Sequence, residues 1–136
     1  MTLRELSQLY YLNREIETNK RRLEEIKSKL SVGGQKLSDM PKAQQYENRM
    51  ERYIAELIDL EGTISAQITQ CLYERNRLER YIADIPDSLT RQIFTLRFVN
   101  GLTWLQVAFS VGGGNTEASV KMTCYRYIDG QNSQKK

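Results

Sequence analysis

Few residues in this chain could carry out covalent chemistry. There is no histidine, and the two cysteines, Cys71 and Cys124, stand far apart with no CxxC. A zinc site therefore lacks its ligand set. Both cysteines fall at apolar positions of helical patterns, where a buried thiol is the plain reading. Acidic pairs such as Glu24/Glu25 and Asp59/Glu61 lie on charged helix faces with nothing to raise a pKa. Gly112-Gly113-Gly114 is followed by Asn115, not by the lysine of a phosphate-binding loop, and no G-x-G-x-x-G is present. These observations predict no catalytic residue, no metal and no cofactor, and so not an enzyme. What remains is recognition chemistry. Asn115, Thr116, Glu117, Ser119, Lys121, Met122 and Thr123 follow the glycines at the start of a helical pattern. Hydrogen-bonding side chains and a cation on the first turns of a helix suit the base edges of double-stranded DNA. Glu117 fits cytosine N4 or simply the positive end of the helix. Thr103, Gln106 and Arg126 flank this group and are the candidates for phosphate contact. Trp104 has two readings, a core or hinge aromatic and a backbone contact through its indole N–H.

Short helices must position these residues. Ile85-Pro86-Asp87 breaks the preceding helix, and Asp87 or Ser88 can cap the next. Leu89, Ile93, Leu96 and Val99 form its apolar face, widened by Phe94 and Phe98. Asn100-Gly101 is a tight exit, since both residues tolerate positive φ. Thr103 with Gln106 forms a capping box for a short helix. In it, Ala108 stands where two helices must cross closely. Gly112 begins the turn, Asn115 or Thr116 caps the following helix, and Val120, Cys124, Tyr127 and Ile128 form its inner face. Gly130 ends it. Residues 86–130 thus predict a helix-turn-helix domain, and residues 131–136 a flexible polar tail.

Residues 1–85 predict a long antiparallel coiled helical hairpin with its turn at about 32–41. Thr2 and Glu5 form a capping box. Leu9, Leu12, Ile16, Asn19, Leu23, Ile26 and Leu30 then step by threes and fours, one heptad seam with a polar member. A helix over residues 2–31 would be about 45 Å long, and so narrow an apolar stripe needs a partner helix. Asn19 reads as a register device. The cations Lys20-Arg21-Arg22 are followed by Glu24 and Glu25, the pattern of a solvated face. After Pro41, placed at a helix start, a second seam runs through Tyr46, Met50, Tyr53, Leu57, Leu60, Ile64, Gln67, Cys71, Glu74, Leu78, Tyr81 and Ile85. It is longer than the first can cover. Its last turns, with Tyr73, Tyr81 and Ile82, should meet the C-terminal domain or a second copy, and the residues leave a monomer and a homodimer through the hairpin equally open.

The net charge of +3 lies entirely in residues 86–136, where Arg91, Arg97, Lys121, Arg126, Lys135 and Lys136 face Asp87, Glu117 and Asp129. Residues 1–85 are neutral overall. That placement suits a polyanionic partner for the C-terminal domain. The start, Met1-Thr2-Leu3-Arg4-Glu5, lacks the apolar run of a signal peptide, and no stretch reads as membrane-spanning. The expectation is a cytoplasmic protein with no membrane partner.

The C-terminal third resembles a known family. Ile85-Pro86-Asp87-Ser88-Leu89, Leu96-Arg97-Phe98-Val99-Asn100-Gly101-Leu102-Thr103-Trp104, Val107-Ala108 and Ser119-Val120-Lys121-Met122 are similar to region 4 of sigma-70-type transcription factors. The whole chain more narrowly resembles small phage and prophage sigma-region-4-like proteins of Gram-positive bacteria, the late transcriptional regulators of the ArpU/RinA type. The likeness implies a DNA-binding transcriptional regulator that acts at promoters with host RNA polymerase, in the host bacterial cytoplasm. Two departures stand out: the turn before Val120 is longer, and Thr123 stands where the sigma pattern often has arginine. No counterpart of the promoter-melting region is visible. Two alternatives stay open: a coiled-coil protein that docks on a host complex (polymerase or a defence system), and a small terminase-like packaging subunit.

Overall fold

A computed structural model describes residues 1–33 and 40–134. Every regular element among them is helical, so the chain is all-α: α1 (Leu3–Leu6), α2 (Gln8–Gly33), α3 (Met40–Ala83), α4 (Ser88–Phe94), α5 (Trp104–Val111) and α6 (Glu117–Gln134). Helix α4 runs on into a π-helical stretch, Thr95–Val99. Residues 34–39 of the expected hairpin connection, and Lys135 and Lys136 of the expected tail, lie outside the described residues. The chain forms two compact units, Asn13–Gln70 and Met1–Leu12 with Cys71–Lys136.

In the unit of residues 13–70, α2 and α3 pair antiparallel. Ile26, Leu60 and Ile64 are its buried centre, and Leu23, Leu30, Tyr53 and Leu57 pack round them. Nearer the start of α2, Asn19 Nδ2 donates to Gln67 Oε1 at 2.9 Å. As numbers rise along α2 they fall along α3. The pairing is the one the two seams predict: every seam residue from Leu9 to Leu30 and from Tyr46 to Ile85 is buried or half-buried. The Asn19–Gln67 pair puts both polar members in one layer, where each satisfies the other. A shift by one heptad would bury an amide against leucine at about 1–3 kcal/mol, so the pair also fixes the register.

The other unit gathers its core from both ends of the chain. Leu6 and Leu9 pack with Leu78, Ile82 and Ile85 of α3 and its exit, with Ile93, Phe94 and Phe98, and with Trp104, Val107, Val120, Cys124 and Ile128. The unit that carries the C-terminal helices is thus larger than residues 86–130. Tyr81 and Ile82 enter this core as the long second seam predicts, whereas Tyr73 is 66% exposed. At the chain start, Thr2 Oγ1 accepts from the Glu5 N–H (3.2 Å) and Glu5 Oε2 from the Thr2 N–H (2.7 Å). Arg77 Nη2 lies 3.1 Å from Glu5 Oε1. The bond from the Thr2 backbone, and then Arg77, hold the Glu5 carboxyl below its ordinary pKa.

Three details differ from the sequence expectation. The first helix is interrupted at Ser7, whose hydroxyl donates back to the Leu3 carbonyl at 2.9 Å and competes with the helical ladder. In the fourth, Asn100 N–H reaches Thr95 O and Leu102 N–H reaches Leu96 O, a wider winding than α. That winding centres the buried face on Ile93, Phe94 and Phe98 and leaves Leu96 and Val99 half-buried. Last, α6 continues through Gly130 to Gln134. Tyr81 OH donates to Gln131 Oε1 (3.3 Å) and Gln131 Nε2 donates to Tyr127 OH (2.8 Å), so the turn expected to fray is tied to α3.

Candidate nucleic-acid interface

The candidate interface comprises α5, its turn and α6. Thr103 Oγ1 accepts from the Gln106 N–H at 3.2 Å, and Gln106 Oε1 accepts from the Thr103 N–H at 2.9 Å. This reciprocal cap starts α5 where the sequence places it. Trp104, Val107 and Ala108 are buried against α6 and the rest of the core. Trp104 is a core aromatic, edge-on to Phe98 and Tyr125, with the Arg97 guanidinium 4.6 Å from its ring centroid.

The turn rests on Gly112, Gly113 and Gly114, with φ of 64°, 64° and 77°. Gly112, at ψ −147°, adopts a conformation nearly confined to glycine. Asn115 closes the turn: its backbone N–H (3.2 Å) and its Nδ2 (2.8 Å) both donate to the Gly112 carbonyl. A Cβ at Gly112 would meet nothing within 4 Å, so its requirement is conformational, not steric. Gly112→Ala is expected to destabilise by about 1–3 kcal/mol. Gly62→Ala, in the open interior of α3, is expected to stabilise by up to ~1 kcal/mol. Urea midpoints of the two variants check the opposite signs. At the other glycine turn only Gly101 has positive φ (71°), while Asn100 stays at −86°.

Helix α6 begins with a second reciprocal cap. Thr116 Oγ1 accepts from the Ser119 N–H (3.1 Å), and Ser119 Oγ accepts from the Thr116 N–H (2.8 Å). Val120, Cys124 and Ile128 form the buried face, with Tyr125 and Tyr127 half-buried beside it. Burial pushes the Cys124 thiol up to about 12. Opposite them, Ala118, Met122 and Arg126 follow each other by fours along the exposed face, with Lys121 and Glu117 on one flank.

The base-reading candidates thus divide into two groups. The Asn115 amide is spent on the turn, and Ser119 and Thr123 donate their hydroxyls to the carbonyls of Thr116 and Ser119. Glu117, Lys121 and Met122 project from α6 with no hydrogen bond or ion pair among the described residues, as does the phosphate candidate Arg126. Thr116, Thr103 and Gln106 serve as caps but keep a donor each: the hydroxyl protons of the threonines and the Nε2 of Gln106.

The positive charge is thinner than its residue count. Arg91 Nη1 donates to the carbonyls of Ile85 (2.7 Å) and Pro86 (3.0 Å), and Arg97 Nη1 to that of Leu102 (2.9 Å). Both guanidinia stitch loops. On α6, Lys121 and Arg126 remain as outward cations. Three exposed residues stand outside the candidates the sequence offers. Ala118 lies on the outward line of α6, four before Met122. Leu105 (65% exposed) and Phe109 (90%) stand one helical turn apart on α5, on the side away from Trp104, Val107 and Ala108. A helical projection of either helix would have picked them out.

Among the described residues no cluster of metal-ligating side chains occurs, and no helix is long and apolar enough to cross a membrane. Comparison of the chain with protein-family models, with curated proteins and with solved structures gives no match.

Proposed function

We propose that the protein is a DNA-binding transcriptional regulator that lays α6 in the major groove, working in the bacterial cytoplasm at promoters of phage type. The observation that carries this reading is the outward line Ala118–Met122–Arg126 with Lys121 beside it. These side chains are clear of every capping and turn-closing bond, on a helix held rigidly from behind by Val120, Cys124 and Ile128. Ala118 and Met122 supply apolar contact for thymine methyl groups, and Lys121 and Arg126 reach guanine edges or phosphates. Thr103 and Gln106, at the start of α5, direct their remaining donors to the phosphate backbone. With two cations on α6, one copy binds weakly, and a second contact must add to it. Leu105 and Phe109 offer that contact to a protein, and RNA polymerase is the protein that a promoter-bound regulator meets.

Selection of bound fragments from fragmented genomic DNA, followed by titration of the enriched site, tests the reading. Lys121→Ala and Arg126→Ala are each expected to lower affinity and to reduce the salt slope by about one. No enrichment, or unchanged slopes in both variants, would sink it. Leu105 and Phe109 also favour a second reading, a protein-docking module that does not need DNA. Capture of polymerase by the parent but not by Phe109→Ser, with no DNA retained at low salt, would establish that reading instead.

A further inference from the structure

Helix α3 carries a second heptad seam, displaced by one residue from the seam that pairs with α2. Glu51, Ile54, Ile58, Glu61, Ser65, Ile68, Leu72 and Arg75 alternate steps of three and four, and every one of them is exposed. The four apolar members are 45, 62, 42 and 58% exposed. Two pairs of aliphatic residues kept in heptad register on a water-facing helix, with polar members between and charges at both ends, form the pattern of a coiled-coil contact, not of scattered surface residues.

The order of residue types selects the occupant. Read from either end, the seam runs charge, aliphatic, aliphatic, polar. Its two halves mirror each other about the point midway between Glu61 and Ser65. An antiparallel second copy would form the layers Glu51–Arg75, Ile54–Leu72, Ile58–Ile68 and Glu61–Ser65, each occurring twice by symmetry. The two outer layers pair opposite charges, the next two on each side are wholly apolar, and at the centre a hydroxyl can donate to a carboxylate. A parallel pairing would set Glu51 on Glu51 and Arg75 on Arg75. One step beyond the seam Glu47 would meet Glu79, so the match ends there; Glu79 already holds Arg75 of its own chain at 3.2 Å. We propose that this seam is a self-complementary contact through which two copies of the chain pair antiparallel along α3. The inference is independent of whether α6 reads DNA.

Sedimentation of the full-length chain over a range of concentrations tests it. The parent is expected to show a reversible monomer–dimer equilibrium. Ile58→Glu places a carboxylate in two apolar layers of the pair. It is expected to weaken dimerisation by at least ~tenfold, with circular dichroism unchanged, and melting temperature unchanged at concentrations where the parent is monomeric, because Ile58 is exposed in one copy. Glu51→Arg is expected to weaken it also, and Glu51→Arg combined with Arg75→Glu to restore it, since the swap recreates both outer layers. A parent that stays monomeric throughout, a dimer indifferent to Ile58→Glu, or a double swap that fails to recover would overturn the proposal.

Discussion

Leu6→Ala is expected to cost about 2–5 kcal/mol, a loss out of proportion to its place in a four-residue helix at the chain start. Leu6 has no exposed surface and lies in the same core as Leu78, Ile82, Ile85 and Phe94. The capping box and the Glu5–Arg77 pair hold α1 in place, so the cavity cannot close by letting the helix drift. Trp104, the chain's single tryptophan, sits 9% exposed in that core, so its fluorescence reports unfolding of this unit directly. Leu3→Ala is the internal comparison: Leu3 is on the same helix but 40% exposed, and its loss should be under about 1 kcal/mol. Equal urea midpoints for the two variants would show that the chain start does not belong to the C-terminal core. A lowered midpoint for Leu6→Ala alone would show that the packing behind α6 depends on the first residues of the chain.

How much of this was legible depends on whether the signal was periodic. The two seams are legible residue by residue because a step of three and four admits one helical face, and Asn19 and Gln67 stand out as polar interruptions. Their pairing does not, since neither residue specifies its partner until the helices align. Leu6 escaped because it lies three residues before Leu9, where the alternation calls for four, on the far side of the Ser7 interruption. The depth of Phe94 and Phe98 is hidden for a related reason: the widened winding of Thr95–Val99 rotates the buried face, and its cause is a hydrogen-bond register that residue types do not encode. Arg91 and Arg97 counted as field charges in the sequence because a side chain's target carbonyl is a matter of loop geometry. On α6 the residue types of the candidate site were visible, but not which of them the caps consume. Thr116 and Ser119 look as available as Lys121 until their mutual bonds are seen.

Raising the pH from 9 to 12 is expected to unfold the Trp104-containing unit at constant temperature. Burial pushes the Cys124 thiol from 9.0 up to about 12, with Arg97 pulling weakly the other way. Burial also pushes the Tyr81 hydroxyl from 10.0 up to about 12, with Tyr127 and Cys124 adding in the same direction. The native state therefore keeps protons that the unfolded chain releases. Where the unfolded state binds fewer protons, stability falls as pH rises. The loss begins near pH 9 with Cys124, steepens above pH 10 as Tyr81 and Tyr127 join, and levels off near pH 12, each titrating group adding a slope of at most about 1.4 kcal/mol per pH unit, less for the partly exposed tyrosines. Cys71, raised by burial and by Glu74, contributes in the same sense, so the measurement is made in a Cys71→Ser background. There, Cys124→Ala lowers stability at neutral pH through lost packing, but it removes the first step and moves the onset from about pH 9 to about pH 10. Tyr81→Phe leaves the onset where it was and reduces the steepening above pH 10 to the share of Tyr127, which burial and Asp84 also raise, while losing the bond to Gln131. Urea titrations at half-unit pH intervals separate these slopes. If Cys124→Ala retains the parent's slope between pH 9 and 10, the thiol is not the group whose ionisation opens the core, and the Tyr81 and Tyr127 hydroxyls, both raised by burial, must then account for the alkaline transition.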